Sequence, residues 1–281
     1  MKWLIARRAA QLGFLGLFLS GPLLHVWITK GTLASSLTLG VLPLTDPLIA
    51  LQSLLAGHRL EKAALIGAAI VLALYAVVGG RAFCAWACPI NLVTDFAAWA
   101  RAKLGIKETI ALDRRLRLWL LAGVLAGSAL TGTIVWELVN PITILHRALV
   151  TGSILAGGAG LLVVAAVFLF DLGIAARGWC GSLCPVGAFY GLIGAKGLLR
   201  VRADNRRACD DCMDCFKVCP ERQVIAPALR GEAKGVGPVI LSSDCSNCGR
   251  CIDVCPKQVF RFGTRFGNRV PATTNDVLQG E

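Results

Sequence analysis

Cys209-Asp210-Asp211-Cys212-Met213-Asp214-Cys215-Phe216-Lys217-Val218-Cys219-Pro220 is a C-x2-C-x2-C-x3-C-P run, and Cys245-Ser246-Asn247-Cys248-Gly249-Arg250-Cys251-Ile252-Asp253-Val254-Cys255-Pro256 repeats it. This run is the signature of bacterial two-cluster ferredoxins, in which the fourth cysteine ligates the other cluster. Three closely spaced thiolates wrap one face of a cubane. The fourth, one residue further on and turned by proline, reaches its neighbour. The spacing therefore assigns Cys209, Cys212, Cys215 and Cys255 to one [4Fe-4S] cluster, and Cys245, Cys248, Cys251 and Cys219 to the other. Structural zinc sites compete for such residues, but zinc ribbons place C-x2-C pairs across a longer gap. All eight cysteines are used as ligands, so electron relay is expected and not catalysis at iron. The intervening segment, Glu221–Asp244, reads as a loop or hairpin inside one compact domain.

Outside the ferredoxin-like stretch the composition changes. The whole chain is 56% hydrophobic and yet carries a net charge of +12, with a mean hydropathy of +0.66. Such values suit a chain whose apolar residues are pooled in membrane spans and whose basic residues are pooled in loops. Four apolar stretches stand out, Gln11–Ile28, Ala63–Val78, Leu118–Val135 and Ile154–Phe170. The first has basic residues before it but no A-x-A site after it, so an uncleaved anchor is expected. Of the lysines and arginines, 25 fall in the N-terminal tail, in Arg81–Arg117 and after Asp171, against 4 in the two other loops. That asymmetry puts both termini in the cytoplasm. Trp27 and Trp136 are then expected at the outer interface. Because the basic residues flank apolar spans and form no single stripe, nucleic acid is not an expected partner.

The expected architecture is an α-helical membrane protein. Residues 1–199 form four transmembrane helices in two hairpins, and residues 200–281 form a cytoplasmic, two-cluster, ferredoxin-like α+β domain. Each hairpin ends in one signature, Arg81-Ala-Phe-Cys84-Ala-Trp-Ala-Cys88-Pro89 and Arg177-Gly-Trp-Cys180-Gly-Ser-Leu-Cys184-Pro185. The shared R-x-aromatic-C-x3-C-P pattern indicates a diverged internal duplication. Proline disfavours the helical region for the residue before it and suits the first turn of a new helix. Cys88 and Cys184 are thus expected where helices begin. A pseudo-twofold arrangement would bring Cys84, Cys88, Cys180 and Cys184 together, either as ligands of one metal centre or as redox-active dithiols. The pattern does not decide between them. No C-x-x-C-H is present, and His25, His58 and His146 are too scattered for a bis-histidine pair, so haem is not expected. No G-x-G-x-x-G follows a strand, so no nicotinamide site is expected.

Over nearly its whole length the chain resembles the NapH family of ferredoxin-type membrane proteins. The resemblance rests on Ser20-Gly21-Pro22, Pro43-Leu44-Thr45-Asp46-Pro47-Leu48, Gly127-Ser128-Ala129-Leu130-Thr131-Gly132-Thr133 with Trp136 and Asn140-Pro141, Gly178-Trp179-Cys180-Gly181 through Pro185-Val186-Gly187-Ala188, and both cluster runs. It implies a quinol dehydrogenase component drawing on the membrane quinol pool. Electrons would go to periplasmic nitrate reductase through a periplasmic iron–sulfur protein of NapG type, with a tetrahaem cytochrome as a further partner. Asp46, His58, Glu137 and His146 are then candidates to accept or relay quinol protons. Two other readings stand beside it. One is a methylamine-utilisation relative serving another periplasmic enzyme. The other is a metal-reducing maturation factor, a group that carries a β-sandwich after its clusters.

Overall fold

The computed structural model of the protein describes residues 1–150 and 158–266. Helix α1 (Lys2–Leu24) leads into a three-stranded antiparallel meander, β1 (Thr29–Gly31), β2 (Ser35–Thr38) and β3 (Leu42–Thr45). Its register pairs Lys30 with Leu37 and Ser36 with Leu44. Gly31 turns the first hairpin at φ +107, where a Cβ would lie 2.4 Å from the Ser35 carbonyl oxygen. Asp46 then caps α2 (Pro47–Leu55), accepting the Leu48 N–H at 2.8 Å with proline at the first helical position, as side-chain capping and proline geometry favour. Next come α3 (Lys62–Val78), the short α4 (Ala82–Trp86), α5 (Ile90–Leu104), α6 (Leu116–Thr131), α7 (Pro141–Val150), α8 (Gly158–Leu169) and α9 (Pro185–Ile193). Their common core contains Leu48, Phe83, Ile90, Trp136, Ile142, Val167, Val186 and Tyr190, together with Cys88 and Cys184.

The expected four transmembrane helices in two hairpins are not found. Among the described residues no helix is long and apolar enough to cross a membrane. A span needs about 20 predominantly apolar residues. Helix α1 has 23, but it takes in Lys2, Arg7, Arg8 and Gln11, and two of these, Arg7 and Gln11, are buried. Helix α3 has 17 residues and ends at Gly79 at φ +101. Helix α6 has 16 and ends at Gly132 in the left-handed region. Helix α8 has 12 in the described part, and residues 154–157 of the fourth apolar stretch lie outside it. Helix ends are set by caps and left-handed glycines, which a run of apolar residues does not reveal. Trp136 is also not interfacial, because it is buried in the helical core.

The C-terminal part is closed by an antiparallel pair, β4 (Leu199–Arg202) with β5 (Arg261–Thr264), in which Val201 faces Phe262. Between them lie α10 (Asp214–Val218), α11 (Ile225–Arg230) and α12 (Arg250–Val254). Glu221–Asp244 is loop around α11 and two short helical turns, without the hairpin. The two cysteine runs share one backbone shape. Asp211 and Asn247 have φ 55 and 47, and Met213 and Gly249 have φ 66 and 71. Asp and Asn are among the side chains that tolerate this left-handed region best.

Gly80, directly before the first signature, meets the end of α9 at backbone distance. A Cβ on it would fall 1.6 Å from the Tyr190 carbonyl oxygen, and one on Gly194 would fall 1.7 Å from the Gly80 nitrogen. Only glycine permits this crossing, which sets the two signature segments side by side. Gly80→Ala is expected to destabilise the chain by about 3 kcal/mol, the upper range for overpacking against backbone, as read from denaturant unfolding followed by circular dichroism.

Candidate metal centres

All twelve cysteines are free of disulfides, and they fall into three groups of four, each lining one small pocket. The first pocket is lined by Cys209, Cys212, Cys215 and Cys255. The second is lined by Cys219, Cys245, Cys248 and Cys251. Cys84, Cys88, Cys180 and Cys184 line the third. Among the described residues no three His, Cys, Asp or Glu side chains are drawn in tightly enough for a single metal ion. Around one tetrahedral zinc, with Zn–S near 2.3 Å, four sulfurs would crowd to about 3.8 Å from one another. Four thiols per group are the ligand set of a [4Fe-4S] cluster.

The third pocket is built from both halves of the helical part. Its walls are Phe83, Ile90, Ile142, Trp179 and Val186, and Cys180 lies in a π-helical turn, Trp179–Leu183. Cys184 caps α9 in extended backbone, while Cys88 stands one residue before the Pro89 cap of α5. Burial, reinforced by Cys84 and Cys184, pushes the Cys88 thiol well up. Burial, with Cys84 next, pushes Cys184 up to about 12. Cys180 is raised by burial and then by Cys184, Asp171, Cys88 and Cys84. Each pair thus lies within electrostatic reach of the other.

Arg81, 3% exposed, ties this pocket to the C-terminal part. Its guanidinium donates to Glu221 Oε1 at 2.7 Å, to the Asp244 carbonyl at 2.8 Å and to the Cys180 carbonyl at 2.9 Å. Glu221, 2% exposed, also takes Arg114 at 2.7 Å and has Arg117 at 3.8 Å, and Arg117 pairs with Asp244. The second signature's arginine, Arg177, instead reaches Asp95 Oδ1 at 2.8 Å. Asp95 also holds Arg250 at 2.6 Å and Arg8, with Arg7 at 3.9 Å. Burial raises the Asp95 carboxyl, but Arg250 and Arg177 outweigh it and hold the group down to about 2. Neither Asp95 nor Glu221 was legible in the sequence, since each is a lone acid whose partners arrive from distant elements.

The four candidate quinol residues scatter. Asp46 lines an apolar cavity of about 220 Å³ walled by Phe14, Leu17, Leu33, Val71, Tyr75 and Phe83 among others. Its carboxylate lies 3.5 Å from the Tyr190 hydroxyl, and burial pushes it up to about 6. His146 is not in the cavity lining. It is buried edge-on against Phe18 at 4.5 Å, and burial brings its ring down to about 4. Glu137 accepts Asn140 at 2.8 Å, and the exposed His58 ring lies 3.1 Å from the Gly132 carbonyl. The cavity residues Tyr75 and Tyr190 were not singled out from sequence.

Three cysteine quartets on a helical and ferredoxin-like scaffold define a 4Fe-4S protein of the ferredoxin type. Comparison agrees. A family model described as a 4Fe-4S binding domain matches twice, at residues 62–107 and 154–203, one match on each signature half, as an internal duplication requires. A 4Fe-4S dicluster domain matches residues 208–259. The ferredoxin-type protein NapH of Haemophilus influenzae is 51% identical over 94% of this chain and 91% of its own length. NapH of Escherichia coli is 47% identical over 95% and 91%. The methylamine utilization ferredoxin-type protein MauN of Methylorubrum extorquens is 53% identical over 94% and 90%. The chain belongs to this NapH/MauN family of ferredoxin-type electron-transfer proteins. No solved structure matches it.

Two outcomes test the charged clamps. Glu221→Gln strips a buried carboxylate from three guanidiniums and is expected to cost about 3–5 kcal/mol in denaturant unfolding. Asp95, held below its unfolded value of 3.8, contributes stability that is fully present above that value and is lost as pH falls toward 2. Asp95→Asn is expected to lower stability at pH 7 by on the order of 2 kcal/mol, a deficit that narrows when unfolding is measured from pH 4 downward.

Proposed function

We propose that the chain oxidises a membrane quinol and delivers the electrons to a periplasmic oxidoreductase system. The observation that carries this is the Asp46 cavity. It is apolar enough for a quinone ring and has one ionisable wall group. It also shares Phe83 with the pocket of Cys84, Cys88, Cys180 and Cys184. Bilayer access is supported by outward apolar side chains, among them Leu65, Ile66 and Leu74 on α3 and Leu118 and Trp119 on α6. Those outward side chains are what supports an inner-membrane site.

In the C-terminal part, Cys209, Cys212, Cys215 and Cys255 would hold one [4Fe-4S] cluster, and Cys219, Cys245, Cys248 and Cys251 a second. Each such group, when bound, takes up and returns one electron at a time. The protein's own residues supply the rest. Oxidising a quinol releases two protons and two electrons. Asp46, ionised above about pH 6, is the base that takes the hydroxyl protons in turn, and the Tyr190 hydroxyl beside it orients the carboxylate.

The acceptor has two readings, because NapH and MauN relatives are similarly close. Through a NapG-type iron–sulfur protein the electrons would reach periplasmic nitrate reductase. Otherwise they would serve methylamine utilisation.

Asp46→Asn tests the quinol reading cleanly, since asparagine caps a helix as well as aspartate does. In the wild type, quinol oxidation is expected to rise with pH through about 6 and level off, following the basic form. The variant should lose roughly 10²-fold in rate and the pH dependence with it. A variant with wild-type rate and profile in a stopped-flow quinol assay would remove Asp46 from the mechanism.

A further inference from the structure

Where α1, α5 and the second signature meet the ferredoxin part, the surface opens into a cleft of about 480 Å³. Arg8, Arg177, Arg250 and Lys217 line it, against two carboxylates, Asp95 and Asp253. We propose that this cleft holds the headgroup of an acidic phospholipid, with the phosphate on Arg8, Arg177 and Lys217 and the acyl chains along Leu12, Phe96 and Trp99. The inference rests on the membrane placement proposed above and not on the Asp46 cavity.

Charge carries the first half of it. Asp95 faces four guanidiniums, Arg250 at 2.6 Å, Arg177 at 2.8 Å, Arg8, and the buried Arg7 at 3.9 Å. One carboxylate does not balance four cations. Nε and Nη1 of Arg7 and Nε of Arg250 are buried without a hydrogen-bond partner among the described residues. Arg250 also borders the pocket of Cys219, Cys245, Cys248 and Cys251, where a bound cluster would share its charge, but Arg8 and Arg177 do not. The cleft's other acid is already engaged. Asp253 accepts the Trp3 and Leu4 N–H groups and pairs with the N-terminal ammonium at 3.3 Å. Lys217 pairs with Asp214 at 2.8 Å, and both are exposed to water that screens them. A phosphate, accepting hydrogen bonds from fixed guanidinium forks, meets the surplus.

The apolar surroundings say which kind of phosphate compound. On α1, Leu4, Arg8 and Leu12 follow one another at four-residue steps and so share one face. Leu4 lines the cleft, and Leu12 beyond it is exposed. On α5, Trp99 lines the cleft and stacks on Phe96 at 5.5 Å between ring centroids, and both rings are exposed. Apolar side chains left in water beside a cationic cleft cost free energy that a free inorganic anion would not recover. Acyl chains would cover them while the headgroup fills the cleft. A tryptophan at such a boundary sits where membrane proteins place that ring, and basic pockets on the cytoplasmic side are where acidic headgroups bind.

The test is native mass spectrometry of the full-length, anaerobically purified protein in detergent, titrated with dioleoyl phosphatidylglycerol, dioleoyl phosphatidylcholine or inorganic phosphate. About one phosphatidylglycerol per chain is expected, held at least about 10-fold more tightly than phosphatidylcholine. Lys217→Gln should weaken it about 5-fold, and Arg8→Gln combined with Lys217→Gln should erase the preference. Should the double variant not retain wild-type iron content, the Lys217→Gln result decides, because that side chain is exposed. Equal affinity for the two lipids, or a preference that Lys217→Gln leaves intact, overturns the proposal. So does displacement of phosphatidylglycerol by equimolar inorganic phosphate, which would mark a free-anion site. Protein recovered outside the membrane fraction of cells would refute the membrane placement itself, and this site with it.

Discussion

A guanidinium taken out of water must have its donors satisfied and its charge matched, or it costs several kcal/mol. Arg81 meets that demand only because four segments converge on it. It belongs to the first signature, donates to the Cys180 carbonyl of the second, and is paired by Glu221, two residues past Cys219, and by the carbonyl of Asp244, one residue before Cys245. Any other docking of the C-terminal part would strand Arg81 and Glu221 together. The rigid fork of arginine is what makes such a junction workable, because its donors leave in fixed directions that a lysine lacks. This one side chain thus ties the third cysteine quartet to the second ferredoxin quartet.

The duplicated signature uses its two arginines differently. Arg81 reaches down into the ferredoxin part, while Arg177 anchors on Asp95, where Arg250 of the second cysteine run and Arg8 of α1 also arrive. Helix α1 is fixed to the same face by Asp253, which accepts the Trp3 and Leu4 N–H groups at 3.1 and 2.7 Å and so caps a helix some 250 positions away in the chain. The two copies of the signature have diverged into two different clamps.

The grouping of the cysteines was readable because it is local. Three cysteines within seven positions and a Cys-Pro step fix the backbone over a dozen residues, so the quartets could be assigned from spacing, and the R-x-aromatic-C-x3-C-P repeat marked the third group. What spacing alone left hidden was whether the two repeats meet. That depends on Gly80 and Gly194 touching backbone to backbone. The helical part was misjudged where a hydropathy window stands in for geometry. The run Ala63–Val78 becomes a helix of 17 residues, about 26 Å at 1.5 Å per residue, because Gly79 stops it. The basic residues Arg7 and Arg8 were read as flanking the first span, yet they lie inside α1 to serve Asp95. The meander β1–β3 was missed for another reason. Its strands are 3 or 4 residues long, too short for an alternation to register.

The order of the parts suits electron transfer for a physical reason. Phe83 belongs at once to the apolar cavity and to the wall of the third quartet, and Arg81 stands between that quartet and the second ferredoxin quartet. Around the third quartet the surroundings are apolar core. The same burial that drives the free thiols' protons on so firmly argues against these cysteines working as exposed nucleophiles, since reactive thiols need a lowered pKa and access.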